Sequence, residues 1–367
     1  MKTVIMAGGK GTRIASVASD IPKPMIQIHG KPILQHQIEC LRRQGLTDII
    51  LVIGHLGDAI KAYFKDGVEF DVNIEYIYET VPLGTAGGLW YLKDSLTEDF
   101  LLLNGDIIFD VDFQRFLAYH KQIGCDATIL THPNGHPYDS GIIMTDCENI
   151  VTKWLHKEDE RTIYKNRVNA GIHMLSPRIF QKFGDVPEKK DLDRDILKAL
   201  IPEGKLAAYD SPEYVKDMGT PDRYAMVGKD IESGLVEAKN LNNRQKAIFL
   251  DRDGTINKYK GFIRSVSEFE LLDTVTEAIK KINSSRYLAI VITNQPVIAR
   301  GECSYEQLDD IHAKMETLLG MDGAYIDDIF YCPHHPDKGF EGEVPELKFE
   351  CGCRKPKPGL FFKAAEK

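Results

Sequence analysis

Short apolar runs alternate with amphipathic segments along the first part of the chain. Runs rich in branched apolar residues have the length and composition of β-strands: 3–7, 48–54, 74–78, 100–106 and 127–132. Segments between them place apolar residues at helical spacing: 32–45, 57–67, 85–96 and 112–124. Further strand candidates follow at 141–146 and 169–176. Strands that alternate with helices predict an α/β domain whose sheet is mixed but mostly parallel.

The alternation stops once and then begins again. Residues 221–239 read as a helix opened by proline, and the asparagine-rich stretch that follows has no apolar periodicity. A second α/β pattern then places strands at 246–250, 287–293 and 327–332, with helices at 273–284 and 304–320. A chain of 367 residues favours two cores. We therefore predict a first domain at 1–240, a linker at 241–246 and a second domain at 247–367.

Composition excludes several classes of partner. The net charge of -9 gives no support to nucleic-acid binding. No apolar run approaches the roughly 18 residues that span a bilayer, and the apolar stretch at the N-terminus is too short for a signal peptide. We therefore expect a cytoplasmic protein with no membrane partner, and a homo-oligomer is compatible with the sequence. Among seven cysteines, the three nearest the C-terminus cluster with histidines, which favours a metal over a disulfide.

A glycine-rich loop follows the first predicted strand. In MAGGKGTRI, Gly8, Gly9 and Gly11 allow a tight turn whose backbone N–H groups approach an anion. Arg13 adds a guanidinium, and Lys23 lies between two prolines on a stiff segment. The spacing matches neither a Walker loop nor G-x-G-x-x-G. Backbone donors with two cations suit a polyphosphate whose charge grows during reaction.

These motifs occur together with several others in a fixed order. GG-x-GTR is followed by PKP-M, LGTAGGL at 83–89, NGD at 104–106, NAGIH at 169–173 and DMGTPDRY at 217–224. In this order they resemble the sugar-1-phosphate nucleotidylyltransferases over roughly residues 1–225, and the resemblance implies a Rossmann-like fold. It also implies site residues with shared roles: catalytic Arg13 and Lys23; nucleotide-binding Gly8, Gly9, Gly11, Thr12, Gly84 and Asp106; sugar-phosphate-binding Gly141, Lys157 and Asn169; Mg²⁺ ligands Asp106 and Asp217.

The implied reaction is an in-line attack of a sugar phosphate on the α-phosphorus of a nucleoside triphosphate, which releases pyrophosphate. Positioning and charge neutralisation carry such a rate, and carboxylates suit Mg²⁺. Other interpretations stay open for single residues: Gly141 as a packing position and Lys157 as part of a solvated charge run. A non-catalytic sugar-nucleotide sensor is the alternative for the whole domain.

A second set of motifs begins at FLDRDGT, residues 249–255. With VITNQ at 291–295 and RKPKPG at 354–359, it resembles the haloacid-dehalogenase-like phosphatases. The resemblance implies a Rossmannoid second domain in which Asp251 attacks phosphorus and Asp253 transfers protons, both beside Mg²⁺. It further implies catalytic Thr293 and Lys355, and sugar-phosphate contacts at Asn294, Arg300 and Arg354. The family's closing acidic motif has no counterpart before Lys367, so an incomplete domain of doubtful phosphatase activity is expected.

Cysteines and histidines flank the loop between these motifs. YCPHHPDKG at 331–339 and FECGCRKPKPG at 349–359 present C-x-H and C-x-C. Cys332, His334, Cys351 and Cys353 form a set suited to tetrahedral, structural Zn²⁺, with His335 as an alternative ligand. Such a zinc loop resembles that of the heptose 1,7-bisphosphate phosphatases, and histidinol-phosphate phosphatases share it.

The pairing of the two resemblances narrows the substrates. Removal of the 7-phosphate from a heptose bisphosphate gives D-glycero-α-D-manno-heptose 1-phosphate, which the first domain would join to a nucleotide. The partners implied are heptose 1-phosphate and GTP, or another nucleoside triphosphate. A mannose- or glucose-1-phosphate nucleotidylyltransferase with an accessory phosphatase is the alternative.

Overall fold

The computed structural model describes residues 1–9, 21–54 and 56–367. Two compact units divide the chain: the first comprises 1–131, 145–154 and 169–243, and the second comprises 132–144, 155–168 and 244–367. The boundary near residue 243 lies inside the predicted linker region. The sequence gives no sign that 132–144 and 155–168, here called the arm, fold with the second unit.

The strands and helices follow one another in this order. The strands are β1 (Thr3–Met6), β2 (Gln27–Ile28), β3 (Lys31–Pro32), β4 (Asp48–Ile53), β5 (Asn73–Tyr78), β6 (Phe100–Asn104), β7 (Ile107–Asp110), β8 (Ala127–His132), β9 (Ile142–Thr145), β10 (Val151–Leu155), β11 (Val168–Leu175), β12 (Leu206–Asp210), β13 (Tyr214–Asp217), β14 (Lys246–Leu250), β15 (Tyr287–Asn294) and β16 (Asp328–Cys332). The α-helices are α1 (Ile33–Arg43), α2 (Gly57–Phe64), α3 (Phe113–Ile123), α4 (Pro221–Glu232), α5 (Leu235–Ala238), α6 (Val275–Asn283), α7 (Tyr305–Met321) and α8 (Gly359–Glu366).

The first unit is built on a sheet in the order β11-β6-β1-β4-β5. β1 runs parallel to β4 and β6, β4 runs parallel to β5, and β11 runs antiparallel to β6. The predicted mixed, mostly parallel sheet is confirmed. Apolar side chains of α1, α2 and α3 cover the strands, and Leu34, Phe64 and Phe116 are fully buried there. This core fixes the carboxyl ends of β1 and β6, where the site residues begin.

Two of the predicted helices differ from the structure. Residues 85–96 were expected to form a helix, but only Gly87–Leu92 is helical, and it is a 3₁₀ helix. A Cβ atom on Gly87 would lie 2.4 Å from the Leu83 Cβ atom, so close packing rather than apolar periodicity shapes this segment. The helix expected over 221–239 is divided into α4 and α5, because Gly234 adopts a left-handed conformation with φ 67°.

The second unit contains a three-stranded parallel sheet in the order β14-β15-β16. Its core joins α6 and α7 to this sheet, and it includes Ile279, Val291 and Met315. The arm has its own small apolar cluster of Ile142 and Tyr164 with Val168. Within the described ranges, no helix combines the length and the apolar character that crossing a bilayer requires.

Candidate functional sites

Lys23 and Asp106 form an ion pair in the first unit. The Lys23 Nζ atom donates to the Asp106 Oδ2 atom, and the lysine side chain is only 11% exposed. Lys23 begins a 3₁₀ turn whose next residue, Pro24, is buried. Asp106 follows Gly105, where a Cβ atom would lie 2.7 Å from the carbonyl oxygen of Met6. Only glycine therefore allows the acid to approach the end of β1.

Asp217 lies beside Asp106 through a strand pair. β13 runs antiparallel to β7 with Asp217 opposite Ile107, and the Met218 N–H donates to the Asp106 carbonyl at 3.0 Å. Both carboxylate oxygens of Asp217 accept from Arg223 Nη1, at 2.9 and 2.8 Å. Two partly exposed carboxylates on neighbouring strands offer the hard oxygen donors that Mg²⁺ prefers, so these residues fit that ion.

The glycine-rich loop is described only in part. Gly8 and Gly9 follow β1, and a Cβ atom on Gly8 would lie 2.9 Å from the Glu79 Oε2 atom. Among the residues that the structure describes, none lies within 4 Å of where a Cβ atom on Gly9 would stand. The predicted contacts Gly11, Thr12 and Arg13 lie outside the described residues.

Glu79 is a candidate that the sequence pattern did not reveal. It follows β5, and its Oε1 atom lies 2.8 Å from where a Cβ atom on Gly88 would stand. Burial raises the pKa of the Glu79 carboxyl, and the backbone N–H of Gly88 partly offsets this shift. The predicted nucleotide contact Gly84 lies in the same loop as Gly88, with φ +83° and no room for a Cβ atom beside the Lys190 carbonyl. Glu79 therefore faces two glycine-rich segments at once.

Asn169 contacts an acid that the sequence analysis also missed. Its Nδ2 atom donates to Asp193 Oδ1 at 3.4 Å, and its Oδ1 atom accepts from the Gly171 N–H at 3.1 Å. Burial raises the pKa of Asp193 to about 7, and the nearby Asp191 carboxylate adds to this shift. An ionisable group thus lies next to a predicted sugar-phosphate contact.

Asp193 gives the stability of the first unit a pH dependence. In the unfolded chain an aspartate releases its proton near pH 4, whereas the folded protein holds this proton up to about pH 7. The folded state is therefore favoured most below pH 4 and loses stability as the pH rises from 4 to 7. The variant Asp193→Asn has no carboxyl to deprotonate, so it lacks this loss of stability. Its free energy of unfolding, taken relative to that of the wild type, should therefore increase by on the order of 2 kcal/mol from pH 5 to pH 8.

Urea unfolding at several pH values tests this prediction. As a control, Asp185→Asn replaces an exposed carboxylate and should follow the wild-type curve. A difference between Asp193→Asn and wild type that stays constant from pH 4 to pH 8 would contradict the assigned shift.

The remaining sugar-phosphate candidates of the first motif set belong to the arm. Gly141 directly precedes β9, and Lys157 follows β10 as an exposed side chain. Both are thus in the second unit, whereas Asn169 is in the first. Their roles stay predictions.

In the second unit, Asp251 is paired with Lys355. The two side chains lie 2.9 Å apart, and Lys355 Nζ also donates to the Ile292 carbonyl at 2.8 Å. The Asn294 side chain binds the Lys355 backbone on both sides: it accepts from the N–H at 2.9 Å and donates to the carbonyl at 3.1 Å. The predicted residues Asp251, Asn294 and Lys355 are therefore together at the ends of β14 and β15.

Asp253 is held by partners that the sequence did not suggest. Arg252, whose side chain is fully buried, donates from Nη2 to both carboxylate oxygens at 2.9 and 3.0 Å. Gln295 Nε2 donates to Asp253 Oδ2 at 2.9 Å and to the Thr293 hydroxyl at 2.8 Å. Behind Arg252, burial lowers the pKa of His312 far below its ordinary value, and the guanidinium lowers it further. The position of Arg252 between Asp251 and Asp253 is the one feature of the sequence that could have indicated this pairing.

Four ligand-type side chains meet near the end of β16. The Sγ atoms of Cys332, Cys351 and Cys353 lie 3.3–3.5 Å apart, and His334 Nδ1 lies 3.3 Å from Cys353 and 3.5 Å from Cys332. Such spacing fits the edges of a tetrahedron with zinc–sulfur bonds of about 2.3 Å. The alternative His335 contacts Arg300 at 3.4 Å instead. This donor set fits Zn²⁺.

Arg300 and Arg354 lie close to the cysteine cluster. The Arg300 guanidinium lies between the rings of Phe262 and Phe340, 4.5 and 4.3 Å from their centroids. Arg354 Nη1 donates to the His334 carbonyl at 3.3 Å. Arg354 thus lies on the loop that carries the cysteines, and Arg300, between β15 and α7, contacts this loop at His335.

Comparisons with known proteins identify relatives of the N-terminal part of the chain, which comprises the first unit and the arm. A family model described as "Nucleotidyl transferase" matches residues 2–234. Mannose-1-phosphate guanyltransferase of Schizosaccharomyces pombe is 32% identical over 233 residues, covering 61% of this chain and 62% of the relative. The Saccharomyces cerevisiae protein of the same name is 33% identical over 247 residues and 64% of each chain. The chain therefore spans less than two thirds of the length of these relatives.

Solved structures share this fold. HddC from Yersinia pseudotuberculosis, complexed with GMP-PN, aligns with a TM-score of 0.53 and 28% identity, over 63% of this chain and 99% of that one. A glucose-1-phosphate thymidylyltransferase homologue from Bacillus anthracis aligns with a TM-score of 0.55 at 20% identity, over 63% of this chain and 96% of that one, and shows likeness of fold alone.

Proposed function

Because the chain belongs to the nucleotidyl transferase family, we propose that it transfers a nucleotidyl group, GMP from GTP, to a sugar 1-phosphate and releases pyrophosphate. The observation that carries the proposal is the Lys23–Asp106 ion pair, which has Asp217 on the neighbouring strand and lies near the end of β1, where the glycine-rich loop begins. The names of the yeast relatives and the ligand in the HddC structure support guanine and a sugar 1-phosphate.

Each residue has a physical task in this reaction. Backbone N–H groups of the glycine-rich loop that begins at Gly8 and Gly9 would bind phosphate oxygens, and Lys23 supplies a positive charge as charge develops on the departing pyrophosphate. Mg²⁺ held by Asp106 and Asp217 would supply further positive charge to the triphosphate. Because no covalent help is needed, holding the two substrates in line accounts for most of the acceleration.

Glu79 is proposed to read the base. Guanine presents N1–H and an N2 amino group along one edge, and a carboxylate can accept from both. Glu79→Gln keeps the shape but donates where it should accept, so kcat/KM for GTP should fall about tenfold to a hundredfold, with ATP turnover unchanged. Glu75→Gln, a side chain 57% exposed on the same strand, is the matched control. An unaltered ratio of GTP to ATP turnover in Glu79→Gln would remove this assignment.

For the sugar, we propose D-glycero-α-D-manno-heptose 1-phosphate. This choice of sugar is supported by the second motif set, which resembles that of the heptose 1,7-bisphosphate phosphatases. In the structure, Asp251 pairs with Lys355 and Asp253 with Gln295, and this cluster is suited to an aspartyl-phosphate intermediate. Asp251 would attack phosphorus while Asp253 protonates the leaving oxygen, and Mg²⁺ would be held by both. The second unit is thus proposed to be related to the heptose 1,7-bisphosphate 7-phosphatases, with Zn²⁺ ordering its loop.

Product analysis tests both parts. The chain is incubated with GTP and, in parallel, heptose, mannose or glucose 1-phosphate, and pyrophosphate and sugar nucleotide are measured. Preference for mannose 1-phosphate would defeat the heptose proposal, and binding without turnover would favour a sensor. Phosphate release from heptose 1,7-bisphosphate, measured separately, reports on the second unit.

A further inference from the structure

Arg223 lies in the first turn of α4, where a positive charge is unfavourable. The Thr220 side chain caps this helix by accepting from the Arg223 N–H at 3.3 Å, and Pro221 begins the helix. The positive end of the helix dipole lies at this terminus, so an acid is favoured here and a guanidinium is disfavoured. The position of Arg223 is therefore explained by a partner outside the helix.

That partner is Asp217, the last residue of β13. The guanidinium donates from Nη1 to both carboxylate oxygens, at 2.9 and 2.8 Å. The Arg223 side chain is 20% exposed and that of Asp217 is 37% exposed, so water screens the pair only in part. The Gly219 N–H also donates to Asp217 Oδ2, at 3.1 Å. Both oxygens of a proposed Mg²⁺ ligand thus already accept hydrogen bonds.

The glycine at position 219 is required for this arrangement. A Cβ atom on Gly219 would lie 2.6 Å from Asp217 Oδ2 and 3.6 Å from Arg223 Nη1. Because the interior of a protein does not tolerate a carbon atom this close to an oxygen, any other residue would displace the carboxylate. The turn between β13 and α4 therefore keeps the acid and the guanidinium in contact.

The neighbouring acid has a cation of its own. Lys23 Nζ donates to Asp106 Oδ2, and the Met218 N–H donates to the Asp106 carbonyl. The two acids are therefore matched in charge by Lys23 and Arg223. A divalent cation that enters alone must approach both of these positive charges, which opposes its binding. A divalent cation that enters with a nucleoside triphosphate meets less opposition, because the phosphates offset the positive charges.

We propose that Arg223 competes with Mg²⁺ for the carboxylate of Asp217, and that this competition makes the first unit bind the ion together with a nucleoside triphosphate rather than alone. Arg223 is a positioning residue, since it acts on the ion through Asp217. The competition follows from the contacts of this carboxylate, whereas the part played by the triphosphate rests on the proposed transferase function.

Arg223→Gln in the full chain tests the competition, with Mn²⁺ as the probe. Electron paramagnetic resonance reports free Mn²⁺ and so measures how tightly the chain binds the ion without nucleotide. The bound ion that is lost in Asp106→Asn is assigned to the first unit, since the second unit has acids of its own. We expect Arg223→Gln to bind this ion about tenfold more tightly than the wild type, because a positive charge beside Asp217 is removed.

A purely structural role of Arg223 predicts the opposite sign. Asp217 would then lose its support in Arg223→Gln, and Mn²⁺ would bind more weakly. Arg223→Lys keeps the positive charge and should restore wild-type affinity. Arg42→Gln is the control for net charge, because it removes the same charge from an exposed pair with Asp71 and should match the wild type. An equal gain of affinity in Arg42→Gln would assign the effect to net charge and overturn the competition.

GTP separates the two halves of the proposal. Binding of the Mn²⁺–GTP complex, followed by equilibrium dialysis without sugar phosphate, should be no tighter in Arg223→Gln than in the wild type. Unchanged or weaker binding of Mn²⁺ alone in Arg223→Gln would overturn the competition, and a gain that persists with GTP would overturn the role of the triphosphate. If the wild type binds no Mn²⁺–GTP complex, the proposed function fails, while the measurement without nucleotide still decides the competition.

Discussion

Asp106→Asn should lower the rate of nucleotidyl transfer by about a thousandfold. The substitution removes a carboxylate that is proposed to hold the Mg²⁺ ion, and this ion would neutralise the charge of the triphosphate. Asparagine has the same shape, so the Met218 N–H can still donate to the backbone carbonyl of residue 106. The amide, however, is a poor ligand for a divalent cation and leaves the Lys23 ammonium without its anionic partner. The loss should therefore appear mainly in kcat, with a smaller effect on folding.

Pyrophosphate release under saturating substrates is the measurement for this variant. Asp48→Asn, an exposed acid at the start of β4, is the control and should keep the wild-type rate. Thermal unfolding of both variants separates damage to the fold from damage to the site. Undiminished turnover in Asp106→Asn would show that the cation is held elsewhere and would withdraw the assignment of Asp106 and Asp217.

Loss of Cys351, a proposed Zn²⁺ ligand, should be the largest change in the second unit. Zinc binding contributes folding free energy, because the donors must be brought together and deprotonated. We expect the wild type to retain one zinc per chain, and Cys351→Ser to lose it and to unfold roughly 10 °C lower in its second transition. The polar loop at 333–350 has little apolar core of its own, so nothing replaces the metal.

Metal analysis together with calorimetry checks this expectation. Cys147→Ser is the matched control, since Cys147 is exposed and lies outside the cluster. A wild-type protein without zinc, or a Cys351→Ser variant that retains it, would refute the proposed centre. Transferase activity in the same variant shows how far the first unit depends on the loop.

Local patterns predicted the strands that carry the sites, because buried parallel strands are continuous apolar runs with acids at their ends. Asp106 and Asp251 follow two such strands, and the roles predicted for them were implied by the resemblances. Glu79 and Asp193 were not, since each acquires its surroundings from segments far away in sequence and belongs to no spaced motif.

Packing over long sequence separations explains the other differences. β7 and β13 are about a hundred residues apart in sequence. The local pattern of either strand therefore does not predict the register that brings Asp217 beside Asp106. The choice between His334 and His335 depended on side-chain direction after Pro333, which only the folded loop defines. The arm is the strongest case, because its sequence matches one unit while its contacts belong to the other.

The fully buried guanidinium of Arg252 has a consequence for how inactive relatives should be interpreted. A positive charge enclosed in protein demands a counter-ion whether or not any chemistry takes place, and Asp253 fulfils that demand. A relative without the proposed hydrolysis would still keep this acid for as long as it kept the arginine. Asp251 is 46% exposed, and its partner Lys355 also donates to the Ile292 carbonyl, so Asp251 has no comparable structural role. The presence of Asp251 is therefore a better indication of the proposed phosphatase function than the presence of Asp253.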